Sequence, residues 1–261
     1  MPDNYKKSKN EFDEISKLYH YTNFQALKSI MESKKFRMSL IGSSLNDVCE
    51  VNYIEKIWHG KVFIACFTTE FDNVKLWREY SDKNKTNNLS ESVCIEINKN
   101  KIENFDEYIV CTVDGYKYDN YSSPSINHLS YFEDEDWAVR ECCGLRVVYK
   151  ESPEDDCYYD EELIDIFGIE NKDSFKHIYD SGYVKKKEKW EIENEYRIRA
   201  IMHSKGMSCR NGKYPKPEFE YVYLDISNWI KHITVFVNKN FTNLAELKQM
   251  ADKTGFQYKI V

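Results

Sequence analysis

The chain is poor in the residues and patterns that mark several common protein classes. Its 261 residues include only nine glycines and five prolines, so long flexible linkers are not expected. No apolar run follows Met1, and no other stretch is long and apolar enough to cross a membrane. We therefore expect one domain over residues 1–261 that has no signal peptide, makes no membrane contact and is cytoplasmic.

Signatures of several chemistries are also missing. The eight cysteines are spread singly apart from Cys142-Cys143, and no C-x-x-C or H-x-x-x-H spacing occurs, so no metal site is expected. The absence of G-x-G-x-x-G, Walker and G-x-S-x-G motifs gives no support for a Rossmann site, a P-loop or an α/β-hydrolase. A net charge of −7 argues against electrostatic capture of nucleic acid, although a local basic groove stays open.

What the sequence does contain is a series of short strands separated by amphipathic helices. The predicted strands lie at 18–21, 36–39, 62–68, 93–97, 108–113, 220–224, 233–237 and 257–261. The predicted helices follow residues 23, 47 and 72, and a last helix ends near Gly255. This pattern is typical of the α+β class, with a mixed or antiparallel sheet and flanking helices.

Residues 117–189 differ in character from the rest of the chain. They hold acidic runs such as Glu133–Asp136 and Glu154–Asp156, and their apolar periodicity favours helix over strand. Charge runs of this kind are usually solvated faces. We therefore expect a helical, acidic insertion between the halves of the sheet.

Charged and other side chains alternate along the stretch from residue 191 to residue 201. Read as one strand, it places five charges on one face: Glu191, Glu193, Glu195, Arg197 and Arg199. Desolvating each charge costs several kcal/mol, so this face is expected to look at solvent or at a polar cleft. Ion pairs on an exposed strand and a catalytic site are the two alternatives.

Several short stretches together resemble a large bacterial family known as domain of unknown function 2971. They are Leu18 to Thr22, Leu45-Asn46-Asp47, Cys66-Phe67-Thr68 followed by Trp77-Arg78-Glu79-Tyr80, Trp190 to Arg197, and Ile233 to the C-terminus. The resemblance covers most of the chain except the acidic insertion. The family name implies no activity.

A second resemblance does imply one. His-Tyr on an early strand, a central aromatic and a late strand glutamate are similar to the His-Tyr-Glu ADP-ribosyltransferases, whose split, mostly antiparallel sheet binds NAD without a metal. The resemblance implies His20 on the adenosine ribose, Glu195 on the nicotinamide ribose and a stacking ring from Tyr80, Trp77 or Tyr21. Glu193 and Glu195 also resemble the E-x-E pair of the arginine-modifying branch. That branch's first-strand arginine and Ser-Thr-Ser strand are not obvious here, so the acceptor stays open.

The chemistry of such a site can be stated from the residue types. A carboxylate at Glu195 would stabilise the oxocarbenium-like state that forms as nicotinamide leaves, and Glu193 would be a general base. Ser39 is a candidate donor to the NAD amide or pyrophosphate, and Arg78 a candidate phosphate ligand. Several of these candidates also have a purely structural interpretation. His20 could be a hydrogen-bonded core residue, Trp77 and Tyr80 could form a buried stripe, and Ser39 could cap a turn.

We therefore expect an NAD-dependent ADP-ribosyltransferase that modifies a macromolecule, either RNA or protein. The resemblance implies a bacterial toxin or phage-defence effector, with an antitoxin or regulatory protein as a further partner. The alternatives are a non-catalytic nucleotide- or RNA-binding module on the same fold and a metal-dependent hydrolase that uses the acidic insertion.

Overall fold

A large, mostly antiparallel β-sheet organises the protein. The computed structural model describes residues 14–40, 60–81, 89–102, 105, 110–113, 116–119, 130–131, 137–150, 184–186, 191–204 and 221–261. The strands in these ranges are β1 (Lys17–Asn23), β2 (Lys35–Leu40), β3 (Gly60–Thr68), β4 (Ser92–Asn98), β5 (Val110–Val113), β6 (Tyr116–Asp119), β7 (Ser130–Tyr131), β8 (Trp137–Arg146), β9 (Val148–Lys150), β10 (Val184–Lys186), β11 (Glu195–Ser204), β12 (Tyr221–Asp225), β13 (Ile233–Val237) and β14 (Gln257–Ile260). The α-helices are α1 (Phe24–Ser33), α2 (Val74–Ser81) and α3 (Leu244–Thr254).

The sheet divides at β3. One edge of β3 pairs along its length with β11, which in turn pairs with β8. The other edge is shared, because β1 pairs with it at Thr68 while β2 pairs with it at Phe63 and Ile64. One branch continues through β1, β4, β13 and β14, and the other through β2, β12, β5 and β6. Among the described pairings of this sheet, all are antiparallel except β13 with β14.

One face of the sheet, here called the core face, carries the main hydrophobic core. It is covered by α1 and α3, whose buried residues pack against alternate side chains of the strands. α1 begins where Asn23 Oδ1 accepts from the Ala26 backbone N–H at 2.9 Å, and it ends at Lys34, which is left-handed with φ 56°. Each fully buried aliphatic side chain on this face stabilises the fold by about 1.5–3 kcal/mol.

The opposite face, here called the polar face, has a different composition. Over β1 and β4 it is mostly apolar, because Leu76 and Trp77 of α2 pack against Tyr21 and Cys94, while Glu96 is buried nearby on β4. Over β3 and β11 it carries polar and charged side chains that are nonetheless buried. These are Thr68, Glu195, Arg197 and Arg199.

The structure confirms the α+β class, the predicted helices around 24–33, 74–81 and 244–254, and the predicted strands on either side of them. It corrects the expectation of a helical insertion. Within 117–189 the described residues form strands rather than helices, and β8 belongs to the main sheet. Pairing with β11, which lies far along the chain, places residues 137–146 in the sheet. Residues 151–183 and the helix predicted after residue 47 lie outside the described residues.

Candidate functional site

The centre of the polar face is occupied by a buried ion pair. Arg197 Nε donates to Glu195 Oε1 at 2.8 Å, and Arg197 Nη2 donates to Glu195 Oε2 at 3.1 Å. Glu195 is 5% exposed and Arg197 is fully buried, while Arg199 on the same face is 1% exposed. The charged face of this strand is therefore buried rather than solvated, and the pairing of Glu195 with Arg197 that the sequence allowed is present.

A tight turn precedes Glu195 and overturns the expectation of one continuous strand from residue 191. Glu191–Glu193 form a single 3₁₀ turn, closed by the Asn194 N–H donating to Glu191 O at 3.1 Å. Asn194 is left-handed with φ 40°, a conformation that Asn tolerates better than most residues. β11 begins only at Glu195. Glu193 is buried in this turn, and does not lie two residues along a shared strand from Glu195.

The turn is held by side chains from β8 and β9. Arg146 Nη2 donates to Asn194 Oδ1 at 2.9 Å, and the Glu195 backbone N–H donates to Tyr149 Oη at 2.9 Å. The pKa of Tyr149 is raised, first by burial and then by the Glu195 carboxylate, so its hydroxyl stays neutral. Sequence reasoning missed both residues, because each lies in the region that was expected to be a helical insertion.

Two of the predicted cofactor ligands, Tyr21 and Trp77, lie on the same face as Glu195. The Tyr21 hydroxyl donates to Glu70 O at 3.0 Å and accepts from the Asn73 N–H at 3.2 Å. Asn73 Nδ2 also reaches Ile192 O at 3.3 Å, which ties the start of α2 to the turn before Glu195. Trp77 is buried and meets the Tyr21 ring edge-on, with ring centroids 5.2 Å apart, so both rings are part of the packing.

His20 lies on the other side of the sheet. Tyr19 pairs with Thr68, and Thr68 pairs with Glu195, so the next residue of β1 projects to the core face. There His20 Nδ1 donates to Cys66 O at 2.9 Å, and its ring lies beside Phe36 and Phe67. Burial lowers the pKa of His20, which keeps the imidazole neutral. The histidine therefore bridges β1 and β3 at the point where the sheet divides, and the structure does not bring it to Glu195.

The remaining predicted site residues are scattered. Ser39 is half-buried and pairs with Ile64, whose other partner is Arg199, so it shares the polar face. Arg78 is exposed on α2. The side chain of Tyr80 lies outside the described part of the structure.

Comparison with known proteins adds no relative. No model of a protein family, no curated protein and no solved structure matches the chain. The family and the activity therefore stay predictions. Within the described residues, no group of three or more His, Cys, Asp or Glu side chains is placed to hold a metal ion, and no helix is long and apolar enough to span a membrane.

The described geometry places one carboxylate and two guanidinium groups side by side along β11. Carboxylates accept hydrogen bonds from hydroxyl groups, and guanidinium groups can bind phosphate bidentately. In this structure all three groups are buried, with 5% exposure or less.

Proposed function

We propose that the protein is an NAD-dependent ADP-ribosyltransferase whose reactive centre is Glu195 on the polar face. The observation that carries the proposal is the position of Glu195 at the start of β11. Glu195 pairs with Thr68 on one edge of β3, and Tyr19 of the His-Tyr strand pairs with Thr68 on the other edge. The resemblance implies a divided, mostly antiparallel sheet that carries His-Tyr on an early strand and a glutamate on a late strand.

In the proposed reaction the bond between nicotinamide nitrogen and ribose C1′ breaks, and nicotinamide leaves with the electron pair. An acceptor oxygen or nitrogen then bonds to C1′ and loses its proton. Glu195 would stabilise the positive charge that develops on the ribose and accept a hydrogen bond from the 2′-hydroxyl. Arg197 fixes the orientation of that carboxylate through two hydrogen bonds, which keeps it positioned before the substrate arrives.

The geometry changes the roles proposed for the other candidate residues. In this proposal NAD contacts come from the polar face, where Ser39 and Arg199 lie on the side of Glu195. His20 acts instead as the side-chain bridge between β1 and β3. Glu193 remains the candidate base for the acceptor, from the turn that precedes the strand.

The proposal is tested by incubating purified protein with NAD that is radiolabelled in the adenylate group, with and without cell lysate. Nicotinamide release together with label on RNA or protein supports a transferase and identifies the acceptor class. Release without transferred label indicates a glycohydrolase. The absence of release in both conditions, with NAD bound, contradicts the proposal.

A non-catalytic nucleotide- or RNA-binding module on this fold is the second candidate. The buried, bidentate Glu195–Arg197 pair favours it, because a pair that only maintains the fold has this geometry. This candidate predicts that Glu195→Gln lowers stability and leaves ligand binding intact, with no nicotinamide release from any variant.

A further inference from the structure

A basic cleft opens on the side of the sheet opposite Glu195. Its volume is about 660 Å³, within the range of small-molecule sites. Its walls come from the C-terminal ends of α1 and α3, the turn after β4, and the segment 227–232 that joins β12 to β13. The Ile226 backbone N–H donates to Lys34 O at 2.9 Å, which fixes this segment against the end of α1.

Three lysines give the cleft its charge. Lys34, Lys101 and Lys231 line it and are exposed, and none of them forms an ion pair within the described residues. The carbonyl ends of two helices add about half a negative charge each, so the lysines dominate. The pKa of His232 is lowered, first by burial and then by the positive charges of Lys231 and Lys101. The neighbouring Asp225 carboxylate is engaged by the Ser227 N–H at 2.8 Å.

The rest of the lining indicates which anion fits. Ser227 and Asn228 are exposed and offer hydrogen-bond donors at the rim. Trp229 is 1% exposed and its ring packs on Phe105, with centroids 4.7 Å apart, so it offers no face for stacking a base. Recognition here therefore depends on charge and on hydroxyl or amide donors, which suits phosphate oxygens more than a purine or pyrimidine.

From these observations we infer that the cleft binds the oligophosphate group of a nucleotide. Three lysines around one cavity complement the multiple negative charges of a di- or triphosphate. The group can belong to a free nucleotide or to the 5′ end of a nucleic-acid strand. This site is separate from the reactive centre on the polar face, and its test needs no turnover of NAD.

The test uses the full chain and calorimetric titration with pyrophosphate, ADP and a 5′-triphosphorylated oligonucleotide at fixed salt. The variant is Lys101→Gln/Lys231→Gln. The matched control is Lys239→Gln/Lys248→Gln, which removes the same charge at exposed positions outside the cleft. Circular dichroism and thermal unfolding check that both variants fold.

We expect pyrophosphate and ADP to bind the unmodified protein, the cleft variant to lose at least tenfold in affinity, and the control to stay within twofold. An oligonucleotide that binds at least tenfold more tightly than ADP and depends on the same lysines identifies nucleic acid as the source. Equal affinities identify a free nucleotide. The inference is overturned if pyrophosphate does not bind at millimolar concentration, or if the control loses as much affinity as the cleft variant.

Discussion

The Arg197 guanidinium grips both carboxylate oxygens of Glu195, two residues earlier on the same strand, and both side chains are buried. Two charges removed from water in this way cost several kcal/mol, which close pairing and hydrogen bonds must offset. Glu195, the residue proposed for catalysis, therefore also contributes to the stability of the fold. Experiments on Glu195 must separate these two contributions.

A double-mutant cycle measures the structural contribution. We expect Glu195→Gln and Arg197→Met each to lower the free energy of unfolding by about 3–5 kcal/mol, because each removes one side of a buried, hydrogen-bonded ion pair. The double variant should lose less than the sum, with a coupling energy of roughly 1–3 kcal/mol, measured by urea unfolding. Additive losses would show that the pair does not act as a unit.

The His20 bridge predicts a pH dependence of stability. The pKa of His20 is lowered in the folded protein, so the unfolded chain binds a proton first as the pH falls below about 6.5. Stability from this residue is therefore complete above that pH and is lost as the pH falls toward the folded pKa. We expect His20→Gln to lose less free energy of unfolding between pH 7.5 and pH 5.5 than the unmodified protein loses.

Comparing the two chains at both pH values isolates His20 from other titrating groups, including His232. An identical pH dependence in the two would mean that His20 is protonated as readily in the folded protein as in the unfolded chain. Burial and the bond to Cys66 O would then not govern its ionisation.

Two helices end at a residue in the left-handed conformation, and substitutions at these two residues should change stability in opposite directions. Lys34 closes α1 at φ 56°, and Gly255 closes α3 at φ 90°. We expect Lys34→Gly to raise the free energy of unfolding by roughly 0.5–1 kcal/mol, since glycine adopts this conformation without a Cβ clash. Gly255→Ala should lower it by about 1 kcal/mol from backbone strain alone, because no atom lies within 4 Å of an added Cβ.

Thermal unfolding of both variants checks this pair. Lys34→Gly also removes a cleft lysine, so it should gain stability and lose phosphate affinity in the same protein. A loss of stability in Lys34→Gly would mean that the lysine side chain has packing contacts worth more than the strain.

Local patterns predicted the elements well and their mutual placement poorly. The apolar stripe Phe24, Leu27, Ile30 and Met31 behind an Asn cap predicted α1, since capping and burial act within one helix. The alternation around residue 194 did not reveal the turn. Asn fits a strand pattern in the sequence but adopts φ 40° here, where Arg146 holds its side chain.

The position of His20 relative to Glu195 could not be predicted from the local sequence around either residue. It depends on two registers, Tyr19 with Thr68 and Thr68 with Glu195, that join strands lying far apart in sequence. A shift of one residue in either register would move His20 to the polar face. The sequence could therefore identify candidate site residues singly, but the face of the sheet on which each side chain lies depends on long-range strand pairing.

The most direct test of the central claim is the rate of nicotinamide release by Glu195→Gln beside a matched control, Glu96→Gln. Glu96 is also buried on the polar face and paired with a cation, Lys17 Nζ at 3.0 Å. With both variants shown to be folded, the account predicts that Glu195→Gln loses at least about 100-fold in rate while Glu96→Gln stays within a few-fold. Equal rates in the unmodified protein and in Glu195→Gln would contradict it.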